Sequence, residues 1–236
     1  MIVRCLKCRR DFETEEVALL GQNFPAERYC ALCREGEEVV DEQRRADTRW
    51  ARVMVPPAYA DCSFDDFHPA PGTENARSVC RQWAKEFRAG TQLPRGLLLH
   101  GPPGAGKTHL AVSILREIVW TDAPASALFL NVPEWLDMLR ASYSGPDAEP
   151  PPNPAGYAVV LLDDLGAENL TNWTRERIYS LVNHREQARL LTLVTTNCDP
   201  RELANRVGGP TASRLRRLVR EVHVDARRDY REHEAA

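Results

Sequence analysis

The sequence predicts an α/β protein built on a parallel β-sheet with helices on both faces. From about residue 56 onwards, short apolar runs alternate with helical patterns, and strands that alternate with helices form a parallel sheet covered on both sides. A glycine-rich stretch, GPPGAGKT at 101–108, separates one apolar run from the helical pattern that follows. The 236 residues are enough for one sizeable core and a small appendage.

The individual elements follow from the period of the apolar residues. Leu110, Ile114 and Ile118 recur at helical spacing after the glycine-rich stretch. Pro133 occupies a favourable first-turn position of another helix. The predicted strands are 95–100, 127–131, 158–162, 190–195 and 222–224, and the predicted helices are 107–120, one beginning at Pro133, 173–189 and the basic 211–220.

The composition is that of an ordinary soluble globular protein, with 43% hydrophobic and 28% charged residues. A net charge of -3 excludes a global basic field, so any contact with nucleic acid must come from a local patch. The N-terminus lacks an apolar run of signal-peptide length, and no window approaches the ~20 apolar residues of a membrane span. We therefore expect a cytoplasmic protein with no membrane partner.

The glycine-rich stretch fits the pattern G-x-x-x-x-G-K-[ST] in full. Its glycines allow backbone N–H groups to curl around phosphates, and the helix that follows directs its positive end at them. Lys107 would reach the β- and γ-phosphates of ATP, and the Thr108 hydroxyl would bind Mg²⁺. The alternative, a chance glycine-rich turn, is disfavoured by the predicted strand and helix on either side. The predicted nucleotide-binding residues are Gly101, Pro102, Pro103, Gly104, Ala105, Gly106, Lys107, Thr108, His109 and Asp163.

Polar residues follow two of the buried strands. Asp163 would hold Mg²⁺ through water, and Asp164 would polarise the attacking water. Thr195, Thr196 and Asn197 form the polar end of the next strand and would orient water near the γ-phosphate. Asp-Asp and Thr/Asn turns at strand ends are the alternatives. His100 and His109 show no spacing with other ligands that suggests a metal.

Four of the seven cysteines lie in the first 33 residues, as two C-x2-C pairs separated by 21 residues. In a reducing compartment paired cysteines suggest a metal more than a disulfide. Four thiolates leave no ligand position open, which predicts a structural zinc rather than a catalytic one. An iron–sulfur centre and disulfides are the alternatives. The predicted zinc ligands are Cys5, Cys8, Cys30 and Cys33.

These patterns divide the chain into a zinc-binding module at 1–36, a charge-rich helical linker at 37–55 and an ATPase core at 56–236. The proline-rich stretch at 144–156 predicts a surface loop. Within the basic helix, Arg214, Arg216, Arg217 and Arg220 form either a solvated face or an arginine finger that reaches the nucleotide of a neighbouring subunit.

Five motifs in order, GPPGAGKTHLA, FLNVPEWLDMLRASY, VVLLDDLG, LVTTN and SRLRR, resemble the AAA+ ATPases of the DnaC/DnaI helicase-loader and IstB transposition-helper group. The resemblance covers about residues 56–231. PPAYADCSFDDFHP is similar to the segment that packs near the adenine in that group. The N-terminal cysteine-rich module is similar to the N-terminal region of the DnaI-like loaders, which use that region to contact the replicative helicase.

The resemblance implies a five-stranded parallel sheet in the order 5-1-4-3-2, with a reduced or absent helical lid. By position it implies Walker A roles for Lys107 and Thr108, Walker B roles for Asp163 and Asp164, sensor 1 for Asn197, the arginine finger for Arg214 and sensor 2 for Arg231. Arg228 competes with Arg231 for the last role.

Two features depart from the family's pattern. Asp164 stands where many AAA+ proteins have glutamate, which implies slow or partner-stimulated hydrolysis. A proline-rich insert at 145–154 stands where the family has a short charged segment, and the sequence does not indicate a function for this insert.

The leading hypothesis is an ATPase that oligomerises with itself and delivers a replicative helicase to single-stranded DNA. One alternative is a transposition helper that assembles on duplex DNA. Another is an ATP-regulated binding switch that hardly hydrolyses.

Overall fold

The computed structural model describes residues 1–19, 22–69, 71–88, 95–120, 126–143, 150–169 and 171–226. It divides into two compact units, Met1–Thr48 and Arg49–Ala236. The predicted division at residue 36 falls inside a helix, and the three-part division of the chain stays a prediction. Within the described residues, no helix has both the length and the apolar character needed to cross a membrane.

The first unit is built from two antiparallel hairpins and the start of a long helix. The CxxC pairs lie in the turn of the first hairpin and at the beginning of the helix, which starts at Ala31, six residues before the predicted helical linker. The elements are β1 (Ile2–Arg4) paired with β2 (Asp11–Glu13), β3 (Glu16–Leu19) paired with β4 (Gln22–Pro25), and α1 (Ala31–Ala51).

The second unit contains a five-stranded sheet in which every neighbouring pair is parallel. Its elements are α2 (Glu74–Arg88), β5 (Gly96–His100), α3 (Lys107–Val119), β6 (Ala127–Asn131), α4 (Val132–Ala141), β7 (Val159–Asp163), α5 (Asn172–Gln187), β8 (Leu191–Thr196), α6 (Pro200–Val207), α7 (Gly209–Leu218) and β9 (Val219–His223). The strand order is β6-β7-β8-β5-β9. Counted from the β9 edge it is 5-1-4-3-2, so the predicted topology is confirmed.

Both faces of the sheet are buried, as the alternation of strands and helices predicts. Successive strand residues point to opposite faces, so Leu97 and Leu99 of β5 belong to one apolar cluster and Leu98 to the other. Helices α2 and α3 supply side chains to the first cluster, and α4 to α7 supply them to the second. This layering sets the carboxyl ends of β5, β7 and β8 side by side.

Helices α2 and α6 were not predicted. In α2 the buried residues are mostly small or sulfur-containing, Ala76, Cys80 and Ala84, although they recur at helical spacing. In α6 only Leu203 and Val207 are buried. The periodic signal was nevertheless present in both helices, since α2 also buries Trp83 and the Asp199-Pro200 start of α6 is a typical helix beginning.

The predicted basic helix 211–220 is wrong at its C-terminal end. Helix α7 ends at Leu218, and β9 begins at Val219 rather than at residue 222. Val219 pairs with Gly96, and Arg220 pairs with Leu97 in a parallel ladder. The hydrogen bonds of this ladder and the burial of Val219 outweigh the helical pattern, and Arg220 therefore lies on a strand.

Candidate functional site

The loop at 101–108 connects the end of β5 to the start of α3, as predicted. Gly101, Gly104 and Gly106 have φ values of +151°, +70° and +82°, a region that side chains rarely adopt. A Cβ atom at Gly101 would lie 2.2 Å from the carbonyl oxygen of Val224, and one at Gly106 would lie 2.5 Å from Phe67 Cε2. Glycine is therefore required at both positions for the loop to turn into the helix.

Lys107 and Thr108 begin α3 directly after this turn. Lys107 is 5% exposed, and its Nζ donates a hydrogen bond of 2.7 Å to the carbonyl oxygen of Pro102 at the other side of the loop. The ammonium group is thus held across the loop opening. Thr108 Oγ1 donates to Asp163 Oδ1 at 2.9 Å.

Asp163 is the last residue of β7 and is only 3% exposed. Its Oδ1 also accepts a hydrogen bond of 2.6 Å from Thr195 Oγ1 of the neighbouring strand β8. The pKa of Asp163 is raised to about 6, mainly by burial and also by the charge of Asp164, while the two threonine hydroxyls and Lys107 act in the opposite direction. A buried carboxylate beside a hydroxyl is a donor set that suits Mg²⁺.

Asp164 lies in a left-handed backbone conformation with φ +56°. Its N–H donates to Thr195 Oγ1 at 3.0 Å, which fixes the turn after β7. Asn197 follows the end of β8 and places its Nδ2 3.5 Å from Asp164 Oδ1. The two side chains predicted to handle the attacking water are therefore adjacent, and both line the same cleft as Lys107 and Thr108.

Thr195 was predicted as part of a polar strand end with Thr196 and Asn197, but its contacts with both aspartates were not predicted. Its hydroxyl donates to Asp163 and accepts from the backbone of Asp164. The available signal was its position at the end of a buried strand next to the Asp-Asp pair. The predicted strand order makes β7 and β8 neighbours, but a strand order does not specify which side chains form hydrogen bonds, so this contact could not be derived from it.

The cleft has a volume of about 490 Å³. The segment before α2 lines it with Tyr59, Phe67 and His68, as expected for the segment near the adenine. His109 holds this segment in place, because its Nε2 lies 2.8 Å from the carbonyl oxygen of Ser63 and its ring packs edge-on against Phe67 at 5.2 Å. The cleft thus combines an aromatic wall with a loop of backbone N–H groups, which suits a nucleoside triphosphate with Mg²⁺.

Arg214 lies on α7 and does not line this cleft. Its Nε donates to Asn183 Oδ1 at 2.8 Å and lies 3.7 Å from Glu186 Oε2. The guanidinium group also lies 4.9 Å from the ring centre of Tyr179. Three residues of α5 therefore hold it on the surface of its own chain. The predicted sensor 2 residue, Arg231, and its competitor Arg228 lie outside the described residues.

The four predicted zinc ligands come together in the first unit. The sulfur atoms of Cys5, Cys8, Cys30 and Cys33 all lie within 4.8 Å of one another.

Their spacing fits a zinc ion. Zn–S distances of about 2.3 Å in a tetrahedron separate the sulfurs by about 3.8 Å, and Cys8 Sγ and Cys30 Sγ are 3.6 Å apart. The backbone N–H of Cys30 donates to Cys5 Sγ at 3.4 Å. Burial raises the pKa of Cys5, but the hydrogen bonds from Cys8, Cys30 and Lys7 outweigh it and lower the value to about 6. Burial and the hydrogen bonds with the other three cysteines raise the pKa of Cys33 to about 12.

Comparison with known proteins identifies relatives of the chain. The model of the family described as IstB-like ATP binding protein matches residues 30–229. The chain is 25% identical over 210 residues to the replicative helicase loader DnaC of Escherichia coli strain K12, covering 87% of this chain and 82% of the relative. It is 33% identical over 111 residues to the replicative helicase loader DnaI of Bacillus subtilis strain 168, covering 46% of this chain and 35% of the relative.

Solved structures agree with the fold. A crystal structure of the DnaC helicase loader superposes with a TM-score of 0.62 and 27% identity, covering 72% of this chain and all of that chain (100%). The five-stranded parallel sheet with its flanking helices is thus the AAA+ P-loop fold.

Proposed function

Because the chain belongs to the IstB-like ATP-binding protein family, we propose that it is an ATPase that delivers a replicative helicase to single-stranded DNA. The observation that carries this proposal is the similarity to a replicative helicase loader over 210 residues, which spans 82% of that relative. The match covers both the nucleotide cleft and the elements around it. ATP binding would assemble the loader, and hydrolysis would release the helicase.

The cleft geometry supports hydrolysis as well as binding. Lys107 and Thr108 would hold the phosphates and Mg²⁺, with Asp163 as the second magnesium ligand through water. Asp164 and Asn197, 3.5 Å apart, would orient the attacking water. Aspartate is one methylene shorter than glutamate, which fits a slow reaction that a partner accelerates.

Arg214 would complete the site of a neighbouring subunit. Its attachment to α5 at the surface leaves it away from its own cleft, and a guanidinium group presented to a neighbour's γ-phosphate stabilises the charge of the transition state. Such a site is active only in an oligomer, so ATP would promote self-association.

Mixing two inactive variants tests the shared site. Lys107→Ala disables a subunit's own cleft, and Arg214→Ala disables its neighbour's cleft. If Arg214 acts between subunits, a mixture of the two proteins recovers part of the ATPase rate, since some interfaces then pair an intact cleft with an intact arginine. A mixture that stays as inactive as each variant alone contradicts the shared site.

The first unit is the expected contact for the helicase. Leu6, between two zinc-ligand cysteines, is 60% exposed, and Leu32 beside the second pair is 69% exposed. Exposed apolar side chains on a small metal-stabilised module suit a protein–protein contact.

A binding experiment tests the loader function directly. The full chain and the host's replicative helicase are mixed with ATP or without nucleotide and separated by size-exclusion chromatography. We expect a stable complex that Leu6→Asp weakens and that Val39→Asp, an equally exposed change on α1, leaves intact. Absence of a complex under every nucleotide condition would falsify the loader proposal.

The transposition-helper function remains the second candidate, because the matching family model is the IstB-like one. That function predicts cooperative, ATP-dependent assembly on duplex DNA without a helicase complex. Electron microscopy of the protein with ATP and duplex DNA separates the two, since filaments on duplex DNA together with no helicase binding favour the helper.

A further inference from the structure

A second cleft lies at the amino-terminal ends of the strands, whereas the nucleotide site lies at their carboxyl ends. It has a volume of about 410 Å³ and is formed where β5, β8 and β9 begin. The nucleotide loop follows the carboxyl end of β5, so about 15 Å of strand separates the two sites. We call it the arginine cleft, after Arg95, Arg189 and Arg217, which line it together with Glu186.

Three arginines from different elements converge on the arginine cleft. Arg95 precedes β5, Arg189 lies between α5 and β8, and Arg217 belongs to the last turn of α7. All three are exposed. Because β8, β5 and β9 are neighbouring parallel strands, their amino-terminal ends lie side by side and bring these distant positions together. A protein with a net charge of -3 thus concentrates positive charge at this place.

Two of the three arginines of the cleft, Arg95 and Arg189, are not neutralised by an acidic side chain of the described residues. Arg95 Nη1 donates to the carbonyl oxygen of Arg216 at 3.2 Å, which orients the guanidinium group without cancelling its charge. Within the described residues, no carboxylate forms an ion pair with Arg95 or Arg189. Glu186 is the one acidic lining residue, and its Oε1 pairs with Arg217 at 2.9 Å. The lining therefore carries a net positive charge.

We propose that the arginine cleft binds the phosphate groups of a single-stranded DNA backbone. Guanidinium groups bind phosphates through paired N–H donors, and a positively charged groove is how proteins follow a single strand without reading its sequence. A recess of this volume admits the backbone of one strand. The choice of DNA as the phosphate source rests on the proposed function.

The contact of Glu186 with two arginines allows a second prediction about DNA binding. Its Oε2 lies 3.7 Å from Arg214 Nε, and its Oε1 binds Arg217. This carboxylate would repel a phosphate that enters the cleft. Removing its charge should therefore strengthen DNA binding, whereas removing the arginines should weaken it.

The test measures binding of fluorescein-labelled dT20 to the full chain by anisotropy, at several NaCl concentrations and without helicase. We expect the double variant Arg95→Gln/Arg189→Gln to bind about tenfold more weakly. The plot of the logarithm of the association constant against the logarithm of the salt concentration should become less steep by about 1.4, since each lost phosphate contact reduces its steepness by about 0.7. Glu186→Gln should bind about threefold more tightly.

Arg52→Gln is the control for a loss of positive charge elsewhere; it removes one of the two charges that the double variant removes, on the β6 side of the sheet. Val53 next to it accepts a hydrogen bond from the backbone N–H of Phe129 on β6, the strand at the other end of the order. This variant should bind dT20 as the unmodified chain does. Unchanged binding of a fluorescent ATP analogue shows that each variant is folded.

The proposal is overturned if the unmodified chain does not bind dT20, or if the double variant binds it as tightly as the unmodified chain does. It is also overturned if Arg52→Gln loses as much affinity as the double variant, or if the arginines bind a DNA duplex more tightly than they bind dT20. Displacement of dT20 by inorganic pyrophosphate at the same phosphate concentration would assign the cleft to free phosphates and also overturns it. A chain that binds dT20 through these arginines but no helicase would contradict the loader function and retain this inference.

Discussion

At the scale of single residues, one carboxylate oxygen organises the nucleotide site. Asp163 Oδ1 accepts hydrogen bonds from Thr108 on α3 and from Thr195 on β8. Three elements that are distant in sequence therefore meet at one atom. The burial that makes this arrangement rigid also raises the pKa of Asp163 to about 6.

The raised pKa predicts a pH dependence of magnesium binding. Below about pH 6 the buried Asp163 carries a proton that Mg²⁺ must displace, so the affinity for Mg²⁺–ATP should fall by up to about tenfold per pH unit as the pH decreases, and it should be constant above about pH 7. Titration calorimetry between pH 5 and 8 measures it.

Thr195→Val should move this transition to higher pH, because the Thr195 hydrogen bond lowers the pKa of Asp163. Thr196→Val is the control, since the Thr196 hydroxyl accepts from the N–H of Cys198 instead. An affinity that does not change between pH 5 and 8 would show that Asp163 does not control magnesium binding.

Asp164 determines the rate if it polarises the attacking water. Asp164→Asn should lower kcat by about 10²- to 10⁴-fold, the usual contribution of a general base, while the Kd for ATP changes little. Steady-state ATPase kinetics together with equilibrium ATP binding measure the two effects separately. A retained rate would show that Asp164 is not catalytic.

At the scale of elements, Arg185 fixes where two strands begin. It is fully buried on α5. Its guanidinium group donates to carbonyl oxygens of Pro154, Tyr157, Ala158 and Leu191 and to the hydroxyl of Thr192. Burial lowers its pKa to about 10, so it stays charged at neutral pH. These bonds anchor the end of the proline-rich insert and the starts of β7 and β8.

Arg185→Met should therefore destabilise the fold strongly. The substitution leaves several buried carbonyl oxygens without donors, each of which costs about 1–3 kcal/mol, so we expect the free energy of unfolding to fall by at least about 3 kcal/mol. Urea denaturation measures the loss. Arg201→Met, an exposed change on α6, should stay within about 0.5 kcal/mol, and a similar loss in both variants would contradict the anchoring role.

At the scale of the whole molecule, the chain combines a large apolar core with a unit that has little core of its own. In the first unit Cys5 and Ala46 are the buried apolar residues among those described. A metal ion held by the four cysteines would supply the cross-link that such a small unit needs. The second unit carries two apolar clusters around its sheet and needs no metal.

Metal removal should thus act on one unit only. Chelation, or Cys8→Ser, should release one zinc per chain and make the first unit sensitive to protease, because metal binding and folding are coupled. Binding of a fluorescent ATP analogue should be unchanged. Elemental analysis and limited proteolysis measure both effects, with Cys62→Ser as the control. Iron instead of zinc, or loss of ATP binding, would be the contradicting results.

The sequence determined the parts of this protein whose signal is local. The phosphate loop, the paired cysteines and the aspartates after a buried strand depend on residue types at fixed spacings, and they predicted the fold class and the set of residues that meets in the cleft. The alternation of strands and helices predicted a parallel sheet in the same way, because the spacing of apolar residues along the chain indicates each helix and strand locally.

Only the tertiary structure decided the contacts that depend on which strands are neighbours. Thr195 joins Asp163 and Asp164 because β8 lies beside β7. Arg220 lies on a strand because β9 pairs with β5. Arg95, Arg189 and Arg217 share a cleft because three strands begin at one edge. Strand pairing releases hydrogen-bond and burial energy between residues far apart in sequence, and no local spacing encodes it.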